Sequence, residues 1–245
     1  MQRIYLKTGD NLELNNKQYI IDSVIGDGAT CIVYSARYKD NNGYFHRVNV
    51  KECYPYNVSV SREGLHLDWE SSDEKEQSLN AFESTYKKLN EWQEGIANVS
   101  VYDICDANNT KYIIMEHTKG SVTFDKDEPE SLSDILKTVK LLAHYVGKYH
   151  QNGYLHLDIK PSNFLVYPRP SEHIILFDLD TVTPISYIKT GKYKNVSYSD
   201  NWAAPEQKQG KINKLCPATD IYAIGAGADN SLKVSATGSI SIPAN

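Results

Sequence analysis

The sequence is poor in sulfur-containing residues and has no long apolar run. Its 245 residues include only four cysteines and two methionines, and no two cysteines have the CxxC spacing of zinc sites and redox motifs. We therefore expect thiols in a reducing, cytoplasmic compartment. No stretch approaches the roughly 18 apolar residues of a membrane-spanning helix, and the N-terminus lacks the apolar segment of a signal peptide. These absences exclude a disulfide scaffold and favour a soluble intracellular protein.

Positive charge is also scarce. The chain has 26 lysines and arginines against 31 aspartates and glutamates, a net charge of -5, which gives no electrostatic reason to expect binding to nucleic acid or to an acidic membrane surface. Its 40% hydrophobic and 23% charged residues are ordinary for a globular protein. A chain of this length can bury a sizeable core, as one domain or as two small lobes. Its oligomeric state stays open.

The N-terminal half has the pattern of an antiparallel sheet. β-rich runs at residues 19–25, 31–38 and 44–51 are separated by a glycine turn and by an Asn-Asn-Gly turn, which predicts a meander. Residues 99–104 and 111–116 predict two more strands. Together with one helix, these five strands predict a small N-terminal lobe.

The other predicted elements are helices and irregular segments. Apolar residues recurring at steps of three and four indicate amphipathic helices, whereas polar stretches without periodicity indicate connections. The predicted helices cover residues 72–94 and 131–150, and a further apolar helix is predicted to begin at residue 220. Residues 119–129 are a predicted irregular connection, residues 181–201 a long, tyrosine-rich and strand-poor connection, and residues 226–245 an irregular tail.

The most specific stretch is His156–Val166, which reads HLDIKPSNFLV. Asp158, Lys160 and Asn163 lie within one short loop, and Asp178 follows the next apolar run. Phosphoryl transfer needs a carboxylate that accepts a hydroxyl proton, together with an amide and a second carboxylate that hold magnesium. This combination therefore predicts phosphoryl transfer.

The loop resembles the catalytic loop of protein kinases. The resemblance implies that Asp158 is the catalytic base, that Lys160 is catalytic by steadying the transferring phosphoryl group, and that His156 is structural. It also implies that Asn163 and Asp178 bind Mg²⁺, that ATP is the phosphoryl donor, and that a protein hydroxyl is the acceptor. A lysine two residues after the catalytic aspartate favours serine and threonine over tyrosine.

A second resemblance concerns the first glycine turn. Gly26 and Gly28, with Ile25 before them and Val33 after them, resemble the glycine-rich loop that places backbone N–H groups on nucleotide phosphates. Cys31 stands where the family pattern has its third glycine. A GxG between two strands is also a common hairpin turn, so the nucleotide-binding role depends on the other motifs.

The same resemblance assigns two further nucleotide contacts. Lys51, at the end of an apolar strand, resembles the lysine that contacts the α- and β-phosphates, and Glu116 resembles the start of the hinge whose backbone meets adenine. Asn49 replaces a family alanine and could polarise the nucleotide pocket. The family lysine pairs with a helix glutamate, and the sequence leaves Glu83, Glu76 or neither as that partner.

Two departures from the family pattern concern regulation. Leu157 replaces the arginine that docks a phosphorylated activation segment, so we expect that phosphorylation of residues 181–201 does not switch activity by that route. Asp180 replaces a glycine and could restrict the change between active and inactive forms or add a metal-facing carboxylate. Glu206 resembles part of the motif that closes the segment, and Asp220 resembles the aspartate that holds the catalytic loop.

The resemblance runs from about residue 22 to residue 225. It implies an α+β, two-lobe, protein-kinase-like fold, with an N-lobe at residues 1–118, a partial and mainly helical C-lobe at 119–225 that lacks its last helices, and an irregular tail at 226–245. The predicted function is an ATP- and Mg²⁺-dependent protein serine/threonine kinase. Two alternatives remain: a pseudokinase scaffold that binds nucleotide or partner proteins, and a phosphotransferase for a small molecule.

Overall fold

The protein has a mixed α+β architecture that divides into two compact units. The first unit contains the described residues up to Lys119, and the second contains those from Gly120 onward. In the part of the chain that the structure describes, no helix is long and apolar enough to span a membrane. The computed structural model describes residues 3–90, 99–124, 131–167, 173–193 and 196–237.

The first unit consists of strands and one helix. In chain order they are β1 (Asn11–Leu14), β2 (Lys17–Asp27), β3 (Cys31–Lys39), β4 (Phe45–Cys53), β5 (Val60–Glu63), β6 (His66–Trp69), α1 (Ser72–Asn90), β7 (Val101–Ala107) and β8 (Thr110–Glu116). Six of the strands form an antiparallel sheet in the order β1-β2-β3-β4-β8-β7, and β5 pairs with β6 as a separate hairpin. The predicted meander is thus confirmed as β2-β3-β4, whereas β1 and the hairpin were not predicted.

A buried polar network ties the hairpin to the sheet. Glu52 of β4 is fully buried and forms an ion pair with Arg62 of β5. Its carboxylate also accepts hydrogen bonds from Tyr34 at 3.0 Å and from Tyr112 at 2.7 Å. Burial, followed by the Glu52 charge, raises the pKa of both tyrosines, so both remain donors. A buried carboxylate is costly unless it is paired, so this network holds Glu52 and therefore β4 in place. Glu52 and Lys51 are adjacent in β4, so the network lies on the sheet face opposite to that of Lys51.

The second unit is mainly helical with short strands. Its elements are β9 (Val122–Thr123), α2 (Leu132–Gln151), β10 (Tyr154–Leu155), β11 (Phe164–Val166), β12 (Ile174–Leu176), β13 (Thr183–Pro184), α3 (Ile185–Lys189), α4 (Pro205–Lys208) and α5 (Pro217–Thr237). The hydroxyl of Ser131 caps α2 by accepting a hydrogen bond from the Asp134 N–H. Helices α2 and α5 pack against each other. The loop of interest lies between β10 and β11.

The irregular tail was predicted wrongly in part. Helix α5 extends to Thr237, so the irregular tail predicted from residue 226 is wrong as far as Thr237, and residues 238–245 lie outside the described part. Small residues weaken the apolar periodicity there. Gly227 faces Pro161 and Trp202, and a Cβ on it would lie 3.9 Å from both, in ordinary van der Waals contact.

The other differences are local. The segment 181–201, predicted as a strand-poor connection, contains the two-residue strand β13 and the five-residue helix α3, and the two-residue strand β9 lies within the predicted irregular connection 119–129. Helix α1 occupies the predicted helix 72–94 as far as Asn90. Residues 91–94 and 125–129 lie outside the described part.

Candidate active site

The loop between β10 and β11 brings three polar side chains into direct contact. The Asp158 carboxylate oxygen Oδ2 accepts hydrogen bonds from Lys160 Nζ at 2.9 Å and from Asn163 Nδ2 at 3.0 Å. Asn163 Nδ2 also donates to the backbone oxygen of Asp158 at 2.9 Å. A short 3₁₀ turn at Pro161–Asn163, with proline in its first position, gives the loop this tight shape. The carboxylate is therefore held between a cation and an amide.

Asp220 of α5 holds the backbone at the start of this loop. Its carboxylate is 1% exposed, and it accepts hydrogen bonds from the N–H groups of His156 at 2.9 Å and Leu157 at 2.8 Å. His150 Nε2 contacts the same carboxylate at 2.8 Å. Leu157 has a φ of +66°, a left-handed conformation in which consecutive N–H groups can converge on one anion. Two charge-assisted hydrogen bonds thus fix the residues that precede Asp158, and the His150 contact holds the Asp220 carboxylate itself.

His156 supports the loop from inside the core. Its ring is fully buried and lies 5.8 Å from the ring of Tyr149. Among the described residues, none forms a hydrogen bond with either ring nitrogen. Burial lowers the pKa of His156, so the ring is neutral in the folded chain.

We expect the chain to lose stability as the pH falls below about 6.5, the ordinary pKa of histidine. Because the folded-state pKa of His156 is lowered, the unfolded chain binds a proton there that the folded chain does not, and acid favours unfolding. Melting temperatures between pH 7.5 and 5.5 measure this dependence, which His156→Phe should weaken. Burial also lowers the pKa of His117, so His117→Gln is measured in parallel. An unchanged pH dependence in His156→Phe would contradict the assignment.

The hairpin of β11 and β12 brings the backbone at Asp178 close to Asn163. Strands β11 and β12 are antiparallel with Phe164 opposite Leu176, and the Phe177 N–H donates to the Asn163 oxygen at 3.1 Å. Asp178 is the next residue and has a left-handed φ of +57°, a conformation that aspartate tolerates better than most residues. The ends of the two strands therefore carry these two polar residues.

The chemistry of these residues fits a magnesium site. Mg²⁺ prefers oxygen ligands, commonly one or two carboxylates together with substrate phosphates. Asp178 supplies a carboxylate. Asn163 uses its amide nitrogen to bind Asp158, so its side-chain oxygen is the atom that would contact a metal ion. Asp180 lies in the following 3₁₀ turn, and its predicted role as a second metal-facing carboxylate stays a prediction.

Leu157 packs into an apolar cluster. It is 2% exposed, and its buried neighbours in the cluster are Leu155, Ile188 and Leu215. Partly buried residues of the segment 181–201 pack against the same cluster: Ile185, Tyr193 and Val196. In the family that the sequence resembles, this position holds an arginine that docks a phosphate. Here Leu157 contributes apolar contacts instead.

Some contacts of the loop could not be foreseen from sequence. Lys160 Nζ donates to Ser199 Oγ at 2.9 Å. Gln207 donates to the Leu157 backbone oxygen at 2.8 Å. Ser199 and Gln207 are far from the loop in sequence, and no motif or spacing marks them. Glu206, which the resemblance did mark, accepts a hydrogen bond from Thr219 at 2.6 Å.

In the first unit, the glycine turn joins β2 to β3. The Gly28 N–H donates to the Cys31 oxygen at 3.0 Å. Gly26 lies opposite Val33, and a Cβ on Gly26 would be 3.4 Å from the Val33 Cβ, in van der Waals contact with it. Ile25 is 52% exposed. The turn thus presents backbone groups and one exposed apolar side chain.

The N-terminal segment contacts the same turn. Arg3 forms an ion pair with Asp27 and donates to the Gly28 oxygen at 2.8 Å. Arg3 also donates to the Tyr54 oxygen at 2.6 Å. The sequence gives no signal for these contacts.

Lys51 is held by an aromatic pair on α1. Its side chain is buried, and its ammonium donates to the Tyr86 hydroxyl at 2.7 Å. The ammonium also lies 5.0 Å from the Tyr86 ring centroid and 5.9 Å from that of Phe82, within the range of cation–π attraction. A tyrosine that sequence reasoning did not consider therefore positions this lysine.

The two glutamates considered as partners of Lys51 have other environments. Glu83 forms ion pairs with Lys87 at 2.8 Å and with Lys111 at 2.9 Å. The Lys87 pair is the i,i+4 surface contact typical of helices. Glu76 is exposed.

At the end of β8, Glu116 and its neighbour take up hydrogen bonds within the unit. The Glu116 N–H donates to the Ser100 oxygen at 2.9 Å, so this N–H is engaged in the sheet. His117 Nδ1 lies 3.3 Å from Asn49 Oδ1, and Asn49 is on the same face of β4 as Lys51 because side chains alternate along a strand. The predicted role of Glu116 in adenine binding stays a prediction.

Comparison with known proteins identifies one family. The family model described as "Protein kinase domain" matches residues 19–228. Serine/threonine-protein kinase PrkC of Bacillus subtilis is 28% identical over 130 residues, which are 52% of this chain and 19% of that protein. "Probable serine/threonine-protein kinase CA_C1728" of Clostridium acetobutylicum is 29% identical over 217 residues, which are 86% of this chain and 29% of that protein. The chain thus spans under a third of the length of these curated relatives.

A solved structure shows the same fold. The structure described as "PpkA-294 apo form" matches 93% of this chain with a TM-score of 0.70, and the match covers 78% of that chain. The sequence identity is 23%, so this likeness bears on the fold alone.

Proposed function

Because the chain belongs to the protein kinase family, we propose that it is an ATP- and Mg²⁺-dependent protein serine/threonine kinase. The observation that carries the proposal is the contact of Asp158 with Lys160 and Asn163 on a loop whose backbone Asp220 fixes. In this proposal, Asp158 orients the acceptor hydroxyl and accepts its proton.

The other residues bind and stabilise the phosphates. Lys160 is close enough to Asp158 to neutralise charge on the phosphoryl group as it is transferred. Asn163 and Asp178 would hold Mg²⁺, which when bound neutralises charge on the phosphate oxygens. In the first unit, Lys51 would bind phosphate, and the turn that contains Gly26 and Gly28 would contact the phosphates through backbone groups other than the Gly28 N–H, which donates to the Cys31 oxygen.

Serine/threonine specificity rests on the relatives and on Lys160. Two bacterial relatives carry serine/threonine-kinase names, and Lys160 donates to Ser199 as well as to Asp158. A protein hydroxyl is therefore the proposed acceptor.

The test is transfer of labelled γ-phosphate from ATP with magnesium, to the chain itself and to a generic protein, followed by identification of the phosphorylated amino acids. We expect phosphoserine or phosphothreonine from the wild type and none from Asp158→Ala or Asp178→Ala. Transfer that survives both substitutions, or that yields phosphotyrosine alone, would contradict the proposal.

The second candidate is a pseudokinase scaffold. It is favoured by the environments of the two helix glutamates that the sequence offered as partners of Lys51, because Glu83 pairs with Lys87 and Lys111 and Glu76 is exposed. The absence of transfer, together with thermal stabilisation by ATP that requires magnesium, would support the scaffold over the enzyme.

Tyr86→Phe tests how Lys51 is positioned. Removing the hydroxyl deletes a hydrogen bond to an ammonium, worth about 1.5 kcal/mol or more, and keeps the ring. We expect kcat/KM for ATP to fall about tenfold, with a fall of several degrees in melting temperature and no loss of folding at the assay temperature. Glu83→Gln is the matched control, since Glu83 pairs with Lys87 and Lys111. A large loss in Glu83→Gln with none in Tyr86→Phe would assign the role to Glu83 instead.

A further inference from the structure

Two of the four cysteines lie directly opposite each other in the sheet of the first unit. Cys31 begins β3, Cys53 ends β4, and their Cα atoms are partners in the antiparallel register. Both residues are thiols here, and they are 3% and 1% exposed. Side chains that are directly opposite in a ladder share one face of the sheet.

The backbone hydrogen bonds identify the type of pair. The neighbouring pair, Thr30 and Tyr54, is hydrogen-bonded, because the Tyr54 N–H donates to the Thr30 oxygen at 3.2 Å. Bonded and non-bonded pairs alternate along an antiparallel ladder. Cys31 and Cys53 are therefore a non-hydrogen-bonded pair, in which the side chains lie closer together.

The two cysteine carbonyl groups agree with this assignment. The Cys31 oxygen accepts from the Gly28 N–H at 3.0 Å, and the Cys53 oxygen accepts from the Thr110 hydroxyl at 2.6 Å. Gly28 and Thr110 belong to the flanking segments, so each carbonyl is directed away from the opposite cysteine. Non-hydrogen-bonded pairs have Cα atoms about 4.5 Å apart, which falls within the 4.4–6.8 Å range for disulfides.

We propose that Cys31 and Cys53 are a modification site that forms a reversible disulfide with a peroxide as the oxidant. The Cys31 thiol loses its proton, the thiolate attacks one peroxide oxygen, and the O–O bond breaks; the departing hydroxide takes up that proton, so a sulfenic acid and water result. The Cys53 thiolate then attacks the Cys31 sulfur, forming the S–S bond and displacing hydroxide, which takes up the Cys53 proton and leaves as a second water. Two thiols and one hydrogen peroxide thus give one disulfide and two waters.

Access to Cys31 comes from the adjacent turn. Residues 27–30 are exposed. Two backbone hydrogen bonds hold this end of the strand pair: the Tyr54 N–H donates to the Thr30 oxygen, and the Tyr56 N–H donates to the Ala29 oxygen at 2.8 Å. Breaking these two hydrogen bonds would expose Cys31, and local opening at strand ends costs far less free energy than global unfolding. A small oxidant such as hydrogen peroxide is therefore suited to the site.

The bridge would change two contacts of the unit. Cys53 Sγ now lies 3.9 Å from the Ser78 oxygen of α1, and turning toward Cys31 removes that contact. The disulfide would also link the end of the glycine turn covalently to β4, two residues from Lys51. The chemistry of the pair does not depend on the proposed kinase function, so it is tested separately.

The test treats the folded full chain with hydrogen peroxide, blocks the remaining thiols, and maps the peptides by mass spectrometry without reduction. We expect a Cys31–Cys53 linked peptide pair, two hydrogens lighter than the separate thiols, that dithiothreitol separates. Oxidation confined to Cys216, which is exposed, or oxidation of Cys31 to a sulfinic acid without a link, would overturn the proposal.

Variants make the mapping specific. In Cys53→Ser the Cys31 sulfenic acid has no resolving thiol, so dimedone should label Cys31, whereas the wild type should show little label there. Cys105→Ser is the matched control, because burial raises the pKa of Cys105 to about 12 and makes that thiol unreactive. The link should persist in Cys105→Ser, and its loss there would contradict the pairing. If Cys53→Ser does not fold, the wild-type map decides alone.

Discussion

Replacing Asp158 by asparagine is expected to lower the rate of phosphoryl transfer by about 10²- to 10⁴-fold, the usual contribution of a general base. Asparagine has nearly the same shape and can keep a contact with Lys160, but it cannot take up the acceptor proton. The loss should therefore appear in kcat, while KM for ATP changes little. Initial rates at saturating ATP and magnesium measure the effect, and melting curves check folding.

The matched control is Asp106→Asn. The Asp106 carboxylate is 73% exposed and pairs with Lys111 on the surface of the first unit, so the same chemical change there should leave the rate unchanged. Equal rates for the wild type and Asp158→Asn would show that Asp158 is not the base. A loss in Asp106→Asn of similar size would show that the change acts through stability.

Replacing Asp220 by alanine is expected to destabilise the second unit strongly. The carboxylate is buried and accepts hydrogen bonds from the N–H groups of His156 and Leu157 and from the His150 ring. Removing it leaves two buried N–H groups without their acceptor, and each unsatisfied group costs about 1–3 kcal/mol. We expect the free energy of unfolding to fall by roughly 3–5 kcal/mol, as for other buried charges that lose their partner.

Urea unfolding followed by circular dichroism measures the Asp220 effect. A loss of this size is a large part of the roughly 5–15 kcal/mol that stabilises a typical domain. The free energy of unfolding of Asp220→Asn should lie between those of the wild type and Asp220→Ala, because the asparagine amide keeps one acceptor oxygen. Asp106→Ala is the exposed control and should change stability by about 0.5 kcal/mol or less. A midpoint for Asp220→Ala close to that of the wild type would contradict the structural role.

The parts of the site that are local in sequence could be predicted from sequence. Asp158, Lys160 and Asn163 lie within six consecutive residues, so a tight loop must bring them near each other whatever surrounds them. The hairpin of β11 and β12 then carries Asp178 to the same end, because its register pairs Phe164 with Leu176.

Contacts that depend on tertiary packing could not be predicted in this way. Tyr86 is 35 residues from Lys51, and the sequence offers it only as one of several apolar positions on α1. Periodicity shows which face of a helix is buried, but it does not show which side chain on that face meets a given lysine. The ion pair between Glu52 and Arg62 depends in turn on the hairpin β5-β6, whose short strands gave no clear alternation.

Helix α5 shows a different limit. After Gly225 the residues are small and polar, a composition that normally indicates a loop. In the fold the helix extends to Thr237 and packs against α2, so tertiary contacts rather than an apolar stripe in these residues stabilise it. Periodicity cannot detect that kind of stabilisation.

The central claim is that this chain binds a nucleotide through magnesium held by Asn163 and Asp178. Calorimetric titration with a non-hydrolysable ATP analogue, with and without magnesium, tests it most directly, using the wild type and Asp178→Asn. The account predicts tight binding to the wild type only with magnesium, and a loss of that magnesium dependence in Asp178→Asn. Magnesium-independent binding to the wild type, or unchanged magnesium-dependent binding to Asp178→Asn, would contradict it.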